Sequence, residues 1–239
     1  GYASFANMGY KVDGHLIRKI EDSSGNVLYE YKDMKEVILN SNLTFILNEM
    51  LTYTYDSAFI GYQANDIDSV REEMMAIYEA IKSLQINYAN PPASFNMFQS
   101  VRLPSTVLSN QFGTCLDLAI LYCACLENVG LNPIVICIDG HAFAGCFLND
   151  ECFVERVCED IGKVFNRSAQ DNLSIELVEC TMFTKSISSS FNASNTSARN
   201  SIRLYNGSFY AIDICSCHAS IFRPIPTKQQ NENGEFVLD

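Results

Sequence analysis

Apolar and polar positions divide the chain into a helical first half and a sheet-rich second half. Residues 12–31 hold two β-rich runs, "HLIRKIED" and "NVLYEY". They flank Ser23-Ser24-Gly25-Asn26, a turn cluster, so the pattern predicts a hairpin. In 41–51, Leu43, Ile46, Leu47, Met50 and Leu51 recur with a helical period behind Ser41, a plausible cap. From Asp66 a second helix is expected. It sets Val70, Met74, Ile77, Ile81 and Leu84 on one face and Arg71, Glu72, Glu73, Glu79 and Lys82 largely opposite. Asn90-Pro91-Pro92 is read as its stop. A polar loop carrying Gln99 leads to Ser105.

A further helix opens at Cys115 in "QFGTCLDLAILYCACLE" and is expected to end at Gly130. After it, "PIVICI", "HAFAGCFL", "IELVECTMF" and "SFYAIDI" read as strands. The segment 155–174 reads as a helix and loop, and the serines and asparagines of 186–201 as another loop. The order is that of an α+β fold.

The chain has 239 residues, of which 48% are apolar, enough for one good core and a small appendage. Its formal charge is 16 − 28 = −12, with no basic cluster. Nucleic acid and anionic membrane are therefore not expected partners. No apolar run approaches the roughly 20 residues of a membrane-spanning helix. No basic stretch followed by an apolar one opens the sequence, so no signal peptide is read there.

Ten cysteines occur, several inside apolar runs: Cys123, Cys125, Cys137 and Cys146. They read as small buried hydrophobes in a reducing, cytoplasmic compartment. "CSCH" (Cys215, Cys217, His218) has the right ligand types for half a zinc site, but no second half exists. No metal and no cofactor is expected.

Cys115 carries more. A thiolate is the reactive form, and a helix N-terminus lowers a thiol's pKa. Gly113 permits a sharp turn, Thr114 can cap, and the Cys115 N–H is free to bind an oxyanion. A helix-opening cysteine alone is more often a core thiol. A nucleophile also needs a base, and only three histidines are present. Of these, His141 opens a strand after Asp139-Gly140, a position that can face a helix N-terminus. The base needs an orienting acceptor, for which Asp139, Glu176, Glu179 and Asp213 are candidates. Glu179 stands out because it interrupts an apolar run, where an unpaired carboxylate is costly. The alternative is an edge-strand glutamate facing water.

"GTCLDLAILYCACLENVGLNPIVICIDGHAFAGCFL" resembles the transglutaminase-like domain, a papain-like cysteine fold. More narrowly, residues 61–226 resemble the version found in large bacterial proteins that also carry helicase-type domains. The stretches "AIYEAI", "YANPPASF", "QSVRLPSTVL", "GHAFAG", "LVECT", "FYAIDI" and "RPIP" follow in order. The resemblance implies a nucleophile helix packed on an antiparallel sheet, with Cys115 as nucleophile, His141 as base and Glu179 as third member. That position more often holds Asp among transglutaminases at large. Gln99 is the implied oxyanion donor, since papain-like enzymes often use an upstream Gln.

Residues 2–59 resemble a piece of the transpeptidase domain of a class A penicillin-binding protein. No S-x-x-K and no K-T-G occurs in the chain, so this piece cannot be a transpeptidase by itself. The chain is thus divided into an incomplete segment, 1–57, and a cysteine domain, 58–239. Because the apolar residues of the first segment need a surface, a homodimer through it is one expected arrangement. The family of that segment also makes the cell surface an alternative location.

The expected activity is hydrolysis of an amide bond in a peptide or protein through a thioester. Acyl transfer to an amine, cell-wall peptide processing, and a non-catalytic peptide- or partner-binding module on the same fold are the alternatives.

Overall fold

The structure is a computed structural model that describes residues 19–21, 27–30, 61–64, 66–90, 101–220, 228–230 and 236–238. Within the expected hairpin, β1 (Lys19–Glu21) and β2 (Val27–Glu30) pair antiparallel. The helix read over 41–51, and Gln99, lie outside the described residues.

The long helix α1 spans Ile67–Ser83, and the Asp66 side chain caps it by accepting from the Ser69 N–H. Val70, Met74, Ile77 and Ile81 are buried as the period requires. Two details depart from the sequence reading. Glu73, expected on the polar face, is buried at 3% exposure. The helix also stops well before the prolines. Leu84 and Gln85 turn their N–H groups back to Ile81 and Lys82. Gln85 then takes a left-handed conformation, φ 55°.

The chain leaves that turn as a short strand, β3 (Asn87–Tyr88). The expected polar loop before Ser105 is followed at once by about two helical turns, α2 (Pro104–Asn110), with proline in the first. Strand β4 (Phe112–Gly113) runs parallel to β3 and leads directly into α3 (Cys115–Asn128).

Helix α3 has clear start and stop signals. Thr114 and Asp117 form a reciprocal capping box at its start. At its end Gly130, φ 87°, lets Leu131 donate to the Leu126 carbonyl while Gly130 donates to Glu127, a Schellman ending. Leu118, Leu121, Tyr122, Cys123, Cys125 and Leu126 are all buried, which makes α3 a central rather than a surface helix.

The remaining strands are β5 (Pro133–Ile138), β6 (His141–Phe147), β7 (Val157–Cys158), β8 (Ile175–Val178) and β9 (Phe209–Asp213). They make one antiparallel sheet in the order β7-β9-β5-β6-β8. Its two faces pack differently. Val135, Ala144, Cys146 and Val178 meet α1 and α3. Ile134, Ile136, Phe143, Phe147, Ile175 and Leu177 form a second cluster with Val164 of α4 (Ile161–Arg167) and Ala198 and Ile202 of α5 (Phe191–Arg203). Alternation along each strand supplies both faces. Helices and one antiparallel sheet give an α+β protein.

Two expectations fail in this region. The Ser/Asn-rich stretch read as a loop contains α5. Ser190 caps it, and it covers the edge of β8: Asn195 donates to the Leu177 carbonyl at 2.8 Å and Ser194 to that of Glu179 at 3.1 Å. An edge strand needs such partners, so the polar residues are buried by bonding rather than by hydrophobicity. The strand read through "IELVECTMF" ends at Val178. Cys180–Phe183 is a 3-10 turn, pinned by Phe183 against Tyr78 and Tyr122 at ring distances of 5.5 and 6.4 Å. The short helix α6 (Ile214–His218) follows β9, and β10 (Lys228–Gln230) pairs with β11 (Phe236–Leu238).

Candidate active site

The site forms where the first turn of α3 meets the opening of β6 and the end of β8. Cys115 is the first residue of α3 and is 2% exposed. Its turn is held by Asp117, which is fully buried. Asp117 accepts from the Thr114 N–H at 2.9 Å, the Arg102 N–H at 2.8 Å and Arg102 Nη1 at 2.9 Å. The Arg102 guanidinium in turn lies 4.7 Å over the Phe112 ring. Burial pushes the Asp117 carboxyl up, but these donors outweigh it and hold it below its ordinary range. The helix start is thereby fixed from two sides.

His141 is placed by the β5–β6 hairpin. The register pairs Ile138 with His141 across Asp139-Gly140, and Gly140 takes φ 75°. The ring is brought between two groups. Its Nε2 lies 2.6 Å from Glu179 Oε2, and the Cys115 sulfur is near enough for ring and thiol to shift each other's pKa. With Nε2 engaged by Glu179, Nδ1 is the nitrogen left for the thiol.

Glu179 sits at the cap of the 3-10 turn. Its other oxygen, Oε1, accepts from the Thr181 N–H at 3.1 Å and from Thr181 Oγ1 at 2.7 Å. At 5% exposure it is a buried carboxylate with three partners. The other acidic candidates point elsewhere. Glu176 pairs with Arg71 at 2.6 Å, and Asp213 accepts from the Phe153 and Ser216 N–H groups. Asp139 bonds Tyr205 and Ser208.

The electrostatics follow from these contacts. For Cys115, burial raises the pKa. The His141 bond, the Ala142 N–H, the His141 charge and the Leu116 N–H together outweigh burial, so the thiol lies below its ordinary value. For His141, the bonds to Cys115 and Glu179 raise the pKa, burial opposes them, and the value reaches about 10. Both shifts run in the direction that favours a thiolate beside an imidazolium. Four other thiols, Cys123, Cys125, Cys146 and Cys180, are pushed up by burial. Such an arrangement can attack a carbonyl and deliver a proton to a leaving group.

One neighbour escaped the sequence reading. Tyr88 stands beside Cys115: burial first, and then the neighbouring Cys115, raise its pKa. "YANPPASF" is among the stretches that carry the family resemblance, but nothing in it singles out Tyr88 for the site. The residue is brought to the site by the parallel β3–β4 bridge, which pairs Tyr88 with Gly113. Among the described residues no group of three or more His, Cys, Asp or Glu is placed to hold a metal ion.

Comparison with known proteins agrees with the geometry at the level of family. The family model of the transglutaminase-like domain matches residues 18–175, which include Cys115 and His141 and end before Glu179. Penicillin-binding protein 2D of Bacillus subtilis (strain 168) is 33% identical over 61 residues. That stretch is 26% of this chain and 9% of the relative, so the chain spans only a small part of that protein. No solved structure matches. The chain belongs to the transglutaminase-like domain family.

Proposed function

We propose that the chain is a papain-like cysteine hydrolase of amide bonds in peptides or proteins. Cys115 would be the nucleophile, His141 the acid and base, and Glu179 the residue that orients and charges the imidazole. The observation that carries this reading is the His141 ring held between the Cys115 sulfur and the Glu179 carboxylate.

In this reading the thiolate attacks the amide carbonyl carbon, forming the C–S bond and moving the carbonyl electron pair onto oxygen. The oxyanion collapses, and the C–N bond breaks as His141 gives its proton to the leaving amine. The thioester that remains is attacked by water, with neutral His141 taking a proton. The carboxylic acid leaves and the thiolate–imidazolium pair is restored. An amine in place of water would give acyl transfer. Hydrolysis is preferred because transfer requires an amine site in addition.

The N-terminal likeness to a penicillin-binding protein supports treating residues 1–57 as a segment of separate origin beside the cysteine domain of 58–239. It makes cell-wall peptides one substrate class to test. The ordered stretches in 61–226 support membership of the helicase-associated bacterial type.

The test is labelling with a thiol-directed acyl probe read by intact mass and peptide mapping. One acyl group on Cys115, absent in Cys115→Ala and strongly slowed in His141→Ala, is expected. Absence of any adduct on the folded protein would leave the fold as a binding module.

A further inference from the structure

In the reaction proposed above, the His141 ring keeps its orientation only if the Glu179 carboxylate keeps its own. A glutamate side chain turns about several bonds, and holding it in one arrangement costs conformational entropy. We propose that Thr181 is a positioning residue of the site: its hydroxyl and its backbone N–H clamp one Glu179 oxygen so that the other is aimed at His141. The inference rests on the cysteine-nucleophile reading.

The geometry divides the carboxylate between two duties. Oε1 accepts from Thr181 Oγ1 at 2.7 Å and from the Thr181 N–H at 3.1 Å, while Oε2 lies 2.6 Å from His141 Nε2. A cap on the 3-10 turn needs only the N–H bond. The hydroxyl bond is additional, and it is the shorter of the two. Two donors from one residue fix the plane of the carboxylate as well as its place. Thr181 is itself anchored, because its carbonyl accepts from the hydroxyl of the buried Thr184 at 2.6 Å. Glu179 is anchored through its backbone, whose carbonyl accepts from the Ser194 hydroxyl of α5 at 3.1 Å and from the Met182 N–H at 3.1 Å. The clamp therefore joins two fixed points of the chain, and the Glu179 side chain is the soft part between them. Supporting bonds of this kind are what hold a working group to its geometry.

The test reads His141 and Cys115 as well as stability. Thr181→Val removes the hydroxyl and nearly keeps the shape. The His141 pKa, titrated by NMR, should fall from about 10 by roughly 1 pH unit. Acylation of Cys115 by p-nitrophenyl acetate should slow about tenfold. Thr181→Ser, which returns the hydroxyl, should recover both. In a Glu179→Ala background Thr181→Val should change neither, because no carboxylate is left to aim. If Thr181→Val lowers the melting temperature but leaves titration and acylation at wild-type values, Thr181 only caps the turn and the proposal is overturned. Equal losses with and without Glu179 overturn it too, since Thr181 then does not act through the acid. Should Thr181→Val fail to fold, Glu179→Asp decides. An acid one carbon shorter cannot keep both Thr181 bonds and the His141 contact, so wild-type titration and acylation in that variant overturn the proposal. If wild-type Cys115 is not acylated at all, the nucleophile reading fails and the inference with it. An acylated wild type with an unaffected Thr181→Val ends the inference alone.

Discussion

The imidazole of His141 and the carboxylate of Glu179 are 2.6 Å apart although they come from the opening of one strand and the end of its neighbour. The register that pairs Ala144 with Val178 carries Glu179 to the strand end beside His141. Glu179→Gln keeps an acceptor and removes the charge. The His141 pKa should then fall from about 10 by roughly 1–3 units. Titration of the ring by NMR reads this directly. An unchanged titration would mean that Glu179 does not charge the imidazole.

Cys115 should be the first of the ten cysteines to react with iodoacetamide near neutral pH, in spite of its burial. Only its thiol combines a lowered pKa with an imidazolium partner. Cys152 is exposed and is the competitor to watch. Peptide mapping after brief labelling decides the order, and equal labelling of Cys152 and Cys115 would contradict the thiolate assignment.

The thiol–imidazole pair also predicts a pH profile for stability. His141 is raised from 6.5 to about 10, so its contribution is complete below 6.5 and is lost as pH rises through about 10. Cys115 is lowered from 9.0, so its contribution is complete above 9.0 and is lost as pH falls through its folded value. Below 6.5 only Cys115 gives a slope, rising with pH, and above 9.0 only His141 does, falling with pH. Wild type minus the Cys115→Ala/His141→Ala variant should therefore peak between 6.5 and 9.0 in urea midpoint and decline above 9.0. A difference that keeps rising above 9.0 would rule out the ion pair.

Glu73 should weaken the protein as pH rises. Burial raises its pKa from 4.5 to about 7, against the opposing bond from the Gly61 N–H at 2.9 Å. Its Oε1 has no partner among the described residues. The stability tied to its neutral form is complete below 4.5 and is lost as pH rises through about 7. Glu73→Gln should gain on wild type over that interval by up to about 3 kcal/mol. Parallel pH profiles for the two proteins would show that the carboxyl is not neutral when folded.

Asp117→Ala should be among the most damaging single changes. It leaves Arg102 and the start of α3 without their shared acceptor, a loss of roughly 3–5 kcal/mol for a buried pair broken on one side. Asp117→Asn, which keeps a carbonyl acceptor, should cost less. Thermal melting ranks the two, and the alkylation rate of Cys115 should fall with the fraying of the first turn.

The sequence by itself determined the local elements whose signals are contiguous. Thr114 and Asp117 spell the start of α3, Gly130 its end, and the apolar runs the four longer strands of the sheet. It also brought Cys115 and His141 into one hypothesis, because few histidines exist and one of them opens a strand. What it left open depends on partners distant in the chain. Glu179 stands out in the sequence as a carboxylate in an apolar run, but its contact with His141 is made by the pairing of β6 with β8 and by the 3-10 turn that Phe183 anchors. The buried side of α1 proved wide enough to take in Glu73, because Gly61 supplies an N–H there. Residues 191–203 became a helix because β8 has an open edge whose carbonyls Ser194 and Asn195 can cap. Tyr88 came beside Cys115 through a parallel bridge of only two residues per strand. Periodicity records which face of an element is apolar, but a polar side chain is buried only when another segment brings the matching donor or acceptor. That match exists only in the folded chain.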